Sequence, residues 1–266
     1  MATFQRKGLP KIPAKIRHSP AFSPSDFLSS SEYRRTLPRK AILIYSDHLY
    51  KIIREWSGSS LQDYPYKGRL MENVSSDGNF IILKLPPGSA FTAAVAEEIH
   101  ALGVEEMIVL GTAGSISRTA PIGSLILCER ALRDEGVSYH YIPPSLYSYP
   151  SKKLTLSLKE KVSSCLGGIF FGPTWTTDAV YMETRFEIET YSKMGILTVE
   201  MEASALFAVG RRRGFHTAAV FAVSDELFGD NWSGIVNDLE SMHKLSEIAK
   251  IFSVMSLDEQ SVGGEI

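Results

Sequence analysis

The chain has little of several things that would otherwise classify it. Only two of its 266 residues are cysteine, Cys128 and Cys165. They stand too far apart for a disulfide framework or a structural zinc site. Neither sign of charge is in excess, since 28 Lys and Arg against 30 Asp and Glu leave a formal charge of −2. A nucleic-acid-binding domain carries a clear basic surplus, so nucleic acid is excluded as a partner. No uninterrupted apolar run approaches the ~20 residues of a membrane helix, which excludes a membrane partner. The six histidines (His18, His48, His100, His140, His216 and His243) form no i/i+4 pair and have no cysteine pair nearby, so no metal site is expected. GxSxG, GxGxxG and P-loop spacings are missing too, which leaves covalent catalysis without a nucleophile elbow. What is there is a cytoplasmic α/β composition, 44% hydrophobic and 22% charged.

Residues 1–38 read as an N-terminal arm. Arg6, Lys7, Lys11, Lys15 and Arg17 come before any acidic residue, as in a transit peptide. Pro10, Pro13 and Pro20 break the amphipathic helix that such a peptide needs, so an extended arm ending in a short packed turn near Phe22 and Phe27 is expected. Residues 39–256 read as the main folded domain, and 257–266 as an acidic tail.

Within that domain, strand-like and helical patterns alternate. Strands are predicted at 41–45, 79–85, 107–110, 124–128, 168–171, 196–200 and 218–223. Asp47 caps a first helix, and a second follows Pro87-Gly88-Ser89 and closes at Gly103. Further helices are predicted over 154–165, 183–194, 203–213 with Gly214 as the stop, and 235–255. Residues 134–153, rich in Tyr, Pro and Ser, read as a long loop. The fold class is therefore α/β: a single three-layer domain with a central mixed, largely parallel sheet flanked by helices.

Ligands of such sheets bind beyond the carboxyl ends of strands, which singles out three segments. Gly111-Thr112-Ala113-Gly114-Ser115 follows the third strand and is either a tight turn or a backbone site for an anion or hydroxyl. Val199-Glu200-Met201-Glu202 sets two carboxylates at i and i+2, on one side of an extended segment. They serve either the dipole of the next helix or adjacent hydroxyls of a sugar. Ser224-Asp225 ends the most apolar strand, where the carboxyl is either a general acid with a raised pKa or an N-cap for the next turn. Cys128 and Cys165 read as packing residues.

Together these segments resemble the nucleoside phosphorylase superfamily, which includes purine nucleoside phosphorylases, uridine phosphorylases and methylthioadenosine nucleosidases. The resemblance runs from about Lys40 to about Ile251. It is most specific from Gly168 through Thr177-Asp178-Ala179-Val180-Tyr181 to Glu200-Met201-Glu202-Ala203-Ser204. It implies that Glu202 holds the ribose hydroxyls, with Glu200 beside it and Met201 beneath the sugar. It implies that Thr112, with Gly111, Ala113 and Gly114, contacts phosphate and sugar. Asp225, next to Ser224, would protonate N7 of a leaving purine, while Val180, Tyr181 and Val199 line the base pocket. Arg185 lies near a base-reading arginine of the uridine-type enzymes.

The implied activity is phosphorolysis of a purine or uridine ribonucleoside to base and ribose 1-phosphate. It needs no cofactor beyond phosphate as co-substrate. The implied partners are nucleoside, phosphate and further copies of the chain in a homo-oligomer. The chain departs from the family pattern at two positions where a phosphate-binding arginine is expected, which hold Tyr50 and Val109. Arg69 or another subunit is an alternative source of that charge. The departures keep a hydrolytic nucleosidase and a non-catalytic nucleoside-binding protein as competing readings.

Overall fold

The apolar runs at 41–44, 81–83 and 107–110 become central strands whose side chains are all buried, because helices cover both faces of the sheet. The computed structural model describes residues 13–30, 36–58, 60–62, 71–74, 78–229, 232–234 and 239–257. In chain order the elements are α1 (Pro24–Ser30), β1 (Lys40–Ile44), α2 (Asp47–Ser57), β2 (Ser60–Gln62), β3 (Met71–Val74) and β4 (Phe80–Lys84). Next come α3 (Ser89–Ala101), β5 (Glu106–Ser115), β6 (Leu125–Asp134), β7 (Tyr147–Ser148), α4 (Lys152–Leu166) and β8 (Phe170–Thr177). Last are α5 (Arg185–Lys193), β9 (Thr198–Glu200), α6 (Ala203–Arg213), β10 (His216–Glu226), β11 (Ser233–Gly234) and α7 (Leu239–Val254).

The sheet is mixed and built from two parallel blocks. In one, β1 lies between β4 and β5, and β5 lies beside β10. In the other, β8 lies between β6 and β9. The blocks join antiparallel, β10 to β6 and β5 to β9, so that β10, β6, β8, β9 and β5 close into a ring. Strand alternation divides the core. Ala41 and Leu43 of β1 face α3 and α6, packing with Val95, Ile99, Leu206 and Phe207. Ile42 and Ile44 face α2, α4 and α7, packing with Leu49, Ile53, Leu158 and Leu245. Each such side chain contributes roughly 1.5–3 kcal/mol when fully buried, which holds the three layers together.

Several local expectations change. Ser46, not Asp47, caps α2, accepting the Leu49 N–H, while Asp47 pairs with Lys84 across the sheet edge. The Gly111–Ser115 loop is no loop but the second half of β5, since β10 continues alongside and supplies partners through Glu226. Residues 134–153 are only partly irregular: β6 runs to Asp134, β7 pairs with it, and α4 starts at Lys152. The stretch is held inward by Arg133, which donates to Ser138, Pro143 and Ser145, and by Glu135, which accepts from the Ser204 hydroxyl at 2.8 Å. Cys128 is buried inside β6 rather than at its end, and Cys165 is exposed, so only the first packs a core. The first turn of the expected last helix, 235–238, lies outside the described residues. Past Pro20 the chain is helical rather than extended, because Pro24 opens α1 where its missing N–H costs nothing. Phe22 meets Phe27 edge to face at 6.4 Å, and α1 lies against α3.

Candidate active site

Three strands converge on Gly114. Its Cα partners are Asp225 on β10 and Val199 on β9. A Cβ on Gly114 would stand 2.3 Å from Leu227, 3.1 Å from Asp225 Oδ2 and 3.3 Å from Val199. Close approach of side chains therefore demands glycine at this position. Gly111 is under no such demand, since its nearest neighbour would be the Tyr45 ring at 3.6 Å. Between the two glycines, Thr112 is exposed while Gly111 and Ala113 are buried, so its side chain is the one β5 offers to solvent here.

The two glutamates of 199–202 do different things. Glu200 turns under the start of α6. Its Oε2 accepts the N–H of Glu202 at 2.7 Å and of Ala203 at 2.8 Å, and its Oε1 accepts the Thr176 hydroxyl. It satisfies orphan donors of a helix terminus and has no free face for a ligand. Glu202 turns the other way, towards α3. Its Oε1 accepts the Gly88 N–H at 2.7 Å, while the Ser89 hydroxyl donates to the Met201 carbonyl at 2.6 Å. The side-by-side arrangement of an extended segment is not formed, because β9 ends at Glu200 and the chain bends through Met201.

Burial, and then the neighbouring Glu202, drives the Glu200 carboxyl above the usual range, and burial does the same to Glu202. Tyr45 joins this corner, its hydroxyl 2.8 Å from Thr92 Oγ1. Burial, reinforced by the Glu202 charge, pushes its phenol far up, so it stays a neutral hydroxyl.

On the other side of β5, Asp225 is held by two donors. The Ser224 hydroxyl reaches Oδ1 at 2.7 Å and the Trp232 indole N–H reaches Oδ2 at 3.0 Å. Sequence reasoning passed over Trp232, which nothing in its local pattern marks. Arg185 does not face a base pocket. Its guanidinium donates to the Leu227 carbonyl at 2.6 Å and to that of Gly229. Val180 and Tyr181 stand out into solvent, Tyr181 at 97% exposure, whereas Val199 is buried. Tyr50 and Val109 are both buried in the apolar core. Arg69 lies outside the described residues. Among the described residues no cluster of His, Cys, Asp or Glu is arranged to hold a metal ion.

The structure thus sets Gly114 of β5 between Asp225 on β10 and Val199 on β9, the strand that leads into Met201 and Glu202. Residues 66–252 match the family model described as "Phosphorylase superfamily". The chain belongs to that superfamily. The named relatives around it are nucleoside phosphorylases, which are pentosyltransferases. It is 28% identical to a guanosine phosphorylase of Halorubrum lacusprofundi over 66% of this chain and 73% of that one. It is 25% identical to a uridine phosphorylase of Thermococcus kodakarensis, over 67% of this chain and 69% of the other. Among solved structures, a uridine phosphorylase of Vibrio fischeri complexed with 6-hydroxy-1-naphthoic acid superposes with a TM-score of 0.70 at 26% identity. That match covers 85% of this chain and 96% of the other. The mixed sheet with helices on both faces is the fold of these relatives.

Proposed function

We propose that the chain cleaves the N-glycosidic bond of a purine ribonucleoside, with phosphate attacking C1′ and free base and ribose 1-phosphate as products. The observation that carries this reading is the pairing of Gly114 in β5 with Asp225 of β10 on one side and, on the other, with Val199 of β9, the strand that leads into Glu202. As the bond to the base breaks, its electron pair moves onto the base and the ribose gains oxocarbenium character. Glu202, whose Gly88 contact leaves lone pairs to spare, accepts hydrogen bonds from the ribose hydroxyls. Asp225 supplies a proton at N7 of the departing purine, which neutralises the developing charge. Thr112, the exposed hydroxyl between the two, serves the nucleophile.

A second reading replaces phosphate by water. It is favoured by the burial of Tyr50 and Val109 in apolar packing and by the neutral Tyr45 hydroxyl beside Glu202, since arginine is the usual phosphate ligand. One experiment separates the readings. Purified protein is incubated with inosine, guanosine, adenosine, methylthioadenosine and uridine, each with and without phosphate. Base release that requires phosphate supports the first reading, and release indifferent to phosphate supports the second. Binding without release would make the chain a nucleoside-binding protein instead.

Exposed Tyr181, Phe186 and Trp232 beside the site support a homo-oligomer in which a neighbouring copy covers them, and light scattering at micromolar concentration tests it. Two free thiols, one of them exposed, support a reducing cytoplasmic compartment.

A further inference from the structure

We propose that Trp232 is a positioning residue for the acid: its indole N–H holds Oδ2 of Asp225 and so leaves Oδ1 as the oxygen that delivers the proton. The inference rests on the reading of Asp225 given above. β11 returns along β10 and sets Gly234 opposite Asp225 and Ser233 opposite Glu226. Paired residues of an antiparallel ladder share a face, and so do residues two apart on one strand. Trp232 is therefore the diagonal neighbour of Asp225, within reach of a long aromatic side chain. The indole uses that reach, its Nε1–H lying 3.0 Å from Asp225 Oδ2. Its six-membered ring lies on Gly234, where a Cβ would stand 2.6 Å from Trp232 Cζ2 and 2.7 Å from Asp225 Cβ. Glycine at 234 lets the ring and the carboxyl share that space. Arg185 fixes the start of the connection between β10 and β11 by donating to the carbonyls of Leu227 and Gly229.

The two oxygens of Asp225 are held by partners of different chemistry. An indole N–H donates and never accepts, whereas a hydroxyl does both. Trp232 therefore commits Oδ2 as an acceptor in either protonation state of Asp225, which makes it the carbonyl oxygen of the acid form. The Ser224 hydroxyl, 2.7 Å from Oδ1, donates to the carboxylate and turns to accept from the acid. The acid form thus carries its proton on Oδ1. In the reaction that proton passes from Oδ1 to N7 while the electron pair of the glycosidic bond passes to the base. Asp225 is then a carboxylate until solvent returns a proton. At that moment the Trp232 bond becomes charge-assisted, so it stabilises the ionised product of the acid more than its starting form. Trp232 acts through Asp225 and need not touch the substrate, so its exposed side remains open to the neighbouring copy of the proposed oligomer.

The test compares nucleosides that differ in their need for the acid. The base of inosine leaves as a neutral molecule only when N7 is protonated, whereas the base of 7-methylguanosine already carries a positive charge and leaves without a proton. Trp232→Phe keeps an aromatic ring and removes the N–H, and Trp232 is exposed, so the core is untouched. The variant should lower kcat on inosine about tenfold with KM changed less than about twofold, and leave 7-methylguanosine within about twofold of native. In an Asp225→Asn background the same change should cost nothing further on inosine, because the group it positions is gone. Separately, enzyme labelled with nitrogen-15 tryptophan gives three indole N–H signals, from Trp56, Trp175 and Trp232. The Trp232 signal, assigned by its loss in Trp232→Phe, should move upfield in Asp225→Asn, where a neutral amide replaces the carboxyl. An unchanged inosine rate in Trp232→Phe, or equal losses on the two nucleosides, overturns the proposal. So does an undiminished further loss in the Asp225→Asn background, or an indole signal that Asp225→Asn leaves in place. If the native enzyme does not cleave inosine, the reading of Asp225 fails and takes this role with it, while the indole signal shows separately whether the carboxyl is held.

Discussion

Asp225 and Glu202 are both acids, yet their surroundings assign them opposite tasks. Asp225 is half-buried and held by two side-chain donors, which fix the orientation of its carboxyl. Replacing it by asparagine keeps the shape and removes the proton. Turnover of inosine should fall by about 10²–10⁴-fold with KM changed little, and an unchanged kcat in steady-state kinetics would remove Asp225 from the acid role. Glu202 is buried and anchored by the Gly88 N–H, away from Asp225's own donors. Charged hydrogen bonds contribute about 1.5–3 kcal/mol each, so Glu202→Gln should raise KM about 10- to 100-fold, read from initial rates against nucleoside concentration. Glu200 looks like its twin in the sequence and is not one, because three donors inside the fold consume its carboxyl.

Among the elements, β5 shows most clearly how packing overrides local signals. Gly111-Thr112-Ala113-Gly114 has the composition of a turn, yet it is strand, because β10 runs beside it for its whole length. Gly114 is the position where that pairing is tightest. Gly114→Ala places a methyl into Leu227 and against Asp225, so activity should drop about tenfold or more while folding costs about 1–3 kcal/mol. Assay and thermal melt together measure both effects. Gly210 in α6 offers a comparison away from the chemistry. Its Cβ would meet the Thr217 methyl at 2.5 Å and the Phe215 carbonyl at 3.1 Å, where the helix crosses β10. Gly210→Ala should lose about 1–3 kcal/mol in denaturant unfolding with kcat retained per folded molecule.

For the molecule as a whole, the closed five-strand ring sets the geometry of the site, and its buried carboxyls set the response to pH. Glu183, Glu200 and Glu202 all sit above their usual range, burial being the main cause. A carboxyl raised in the folded state binds protons more tightly there than in the unfolded chain. Its contribution to stability is intact below the unfolded value of about 4.3 and is lost as pH rises through the folded value. For Glu183 that value is about 7. The melting temperature should therefore decline from mildly acidic pH to about pH 8, and Glu183→Gln should flatten part of the slope in calorimetric scans. A melting temperature that rises steadily over this interval would contradict the burial of these groups.

Layer order, helix positions and the Glu-Met-Glu segment were legible in the residues because they depend on local periodicity and on nearby capping chemistry. Buried strands show as unbroken apolar runs, and α6 stops at Gly214, whose φ of 86° is open to glycine and costly for other residues. The pairing partners, by contrast, come from strands far apart in the chain. Gly114 meets Asp225 and Val199 through β10 and β9, and Arg185 at the start of α5 ties that helix to Leu227 just beyond β10. No periodicity records such contacts, since they arise when the ring closes and desolvates the groups it brings together. A residue type and its place in a strand can be read along the chain, but whether a carboxyl is consumed by a helix terminus, as Glu200 is, or held by other side chains, as Asp225 is, depends on the donors and charges packed around it.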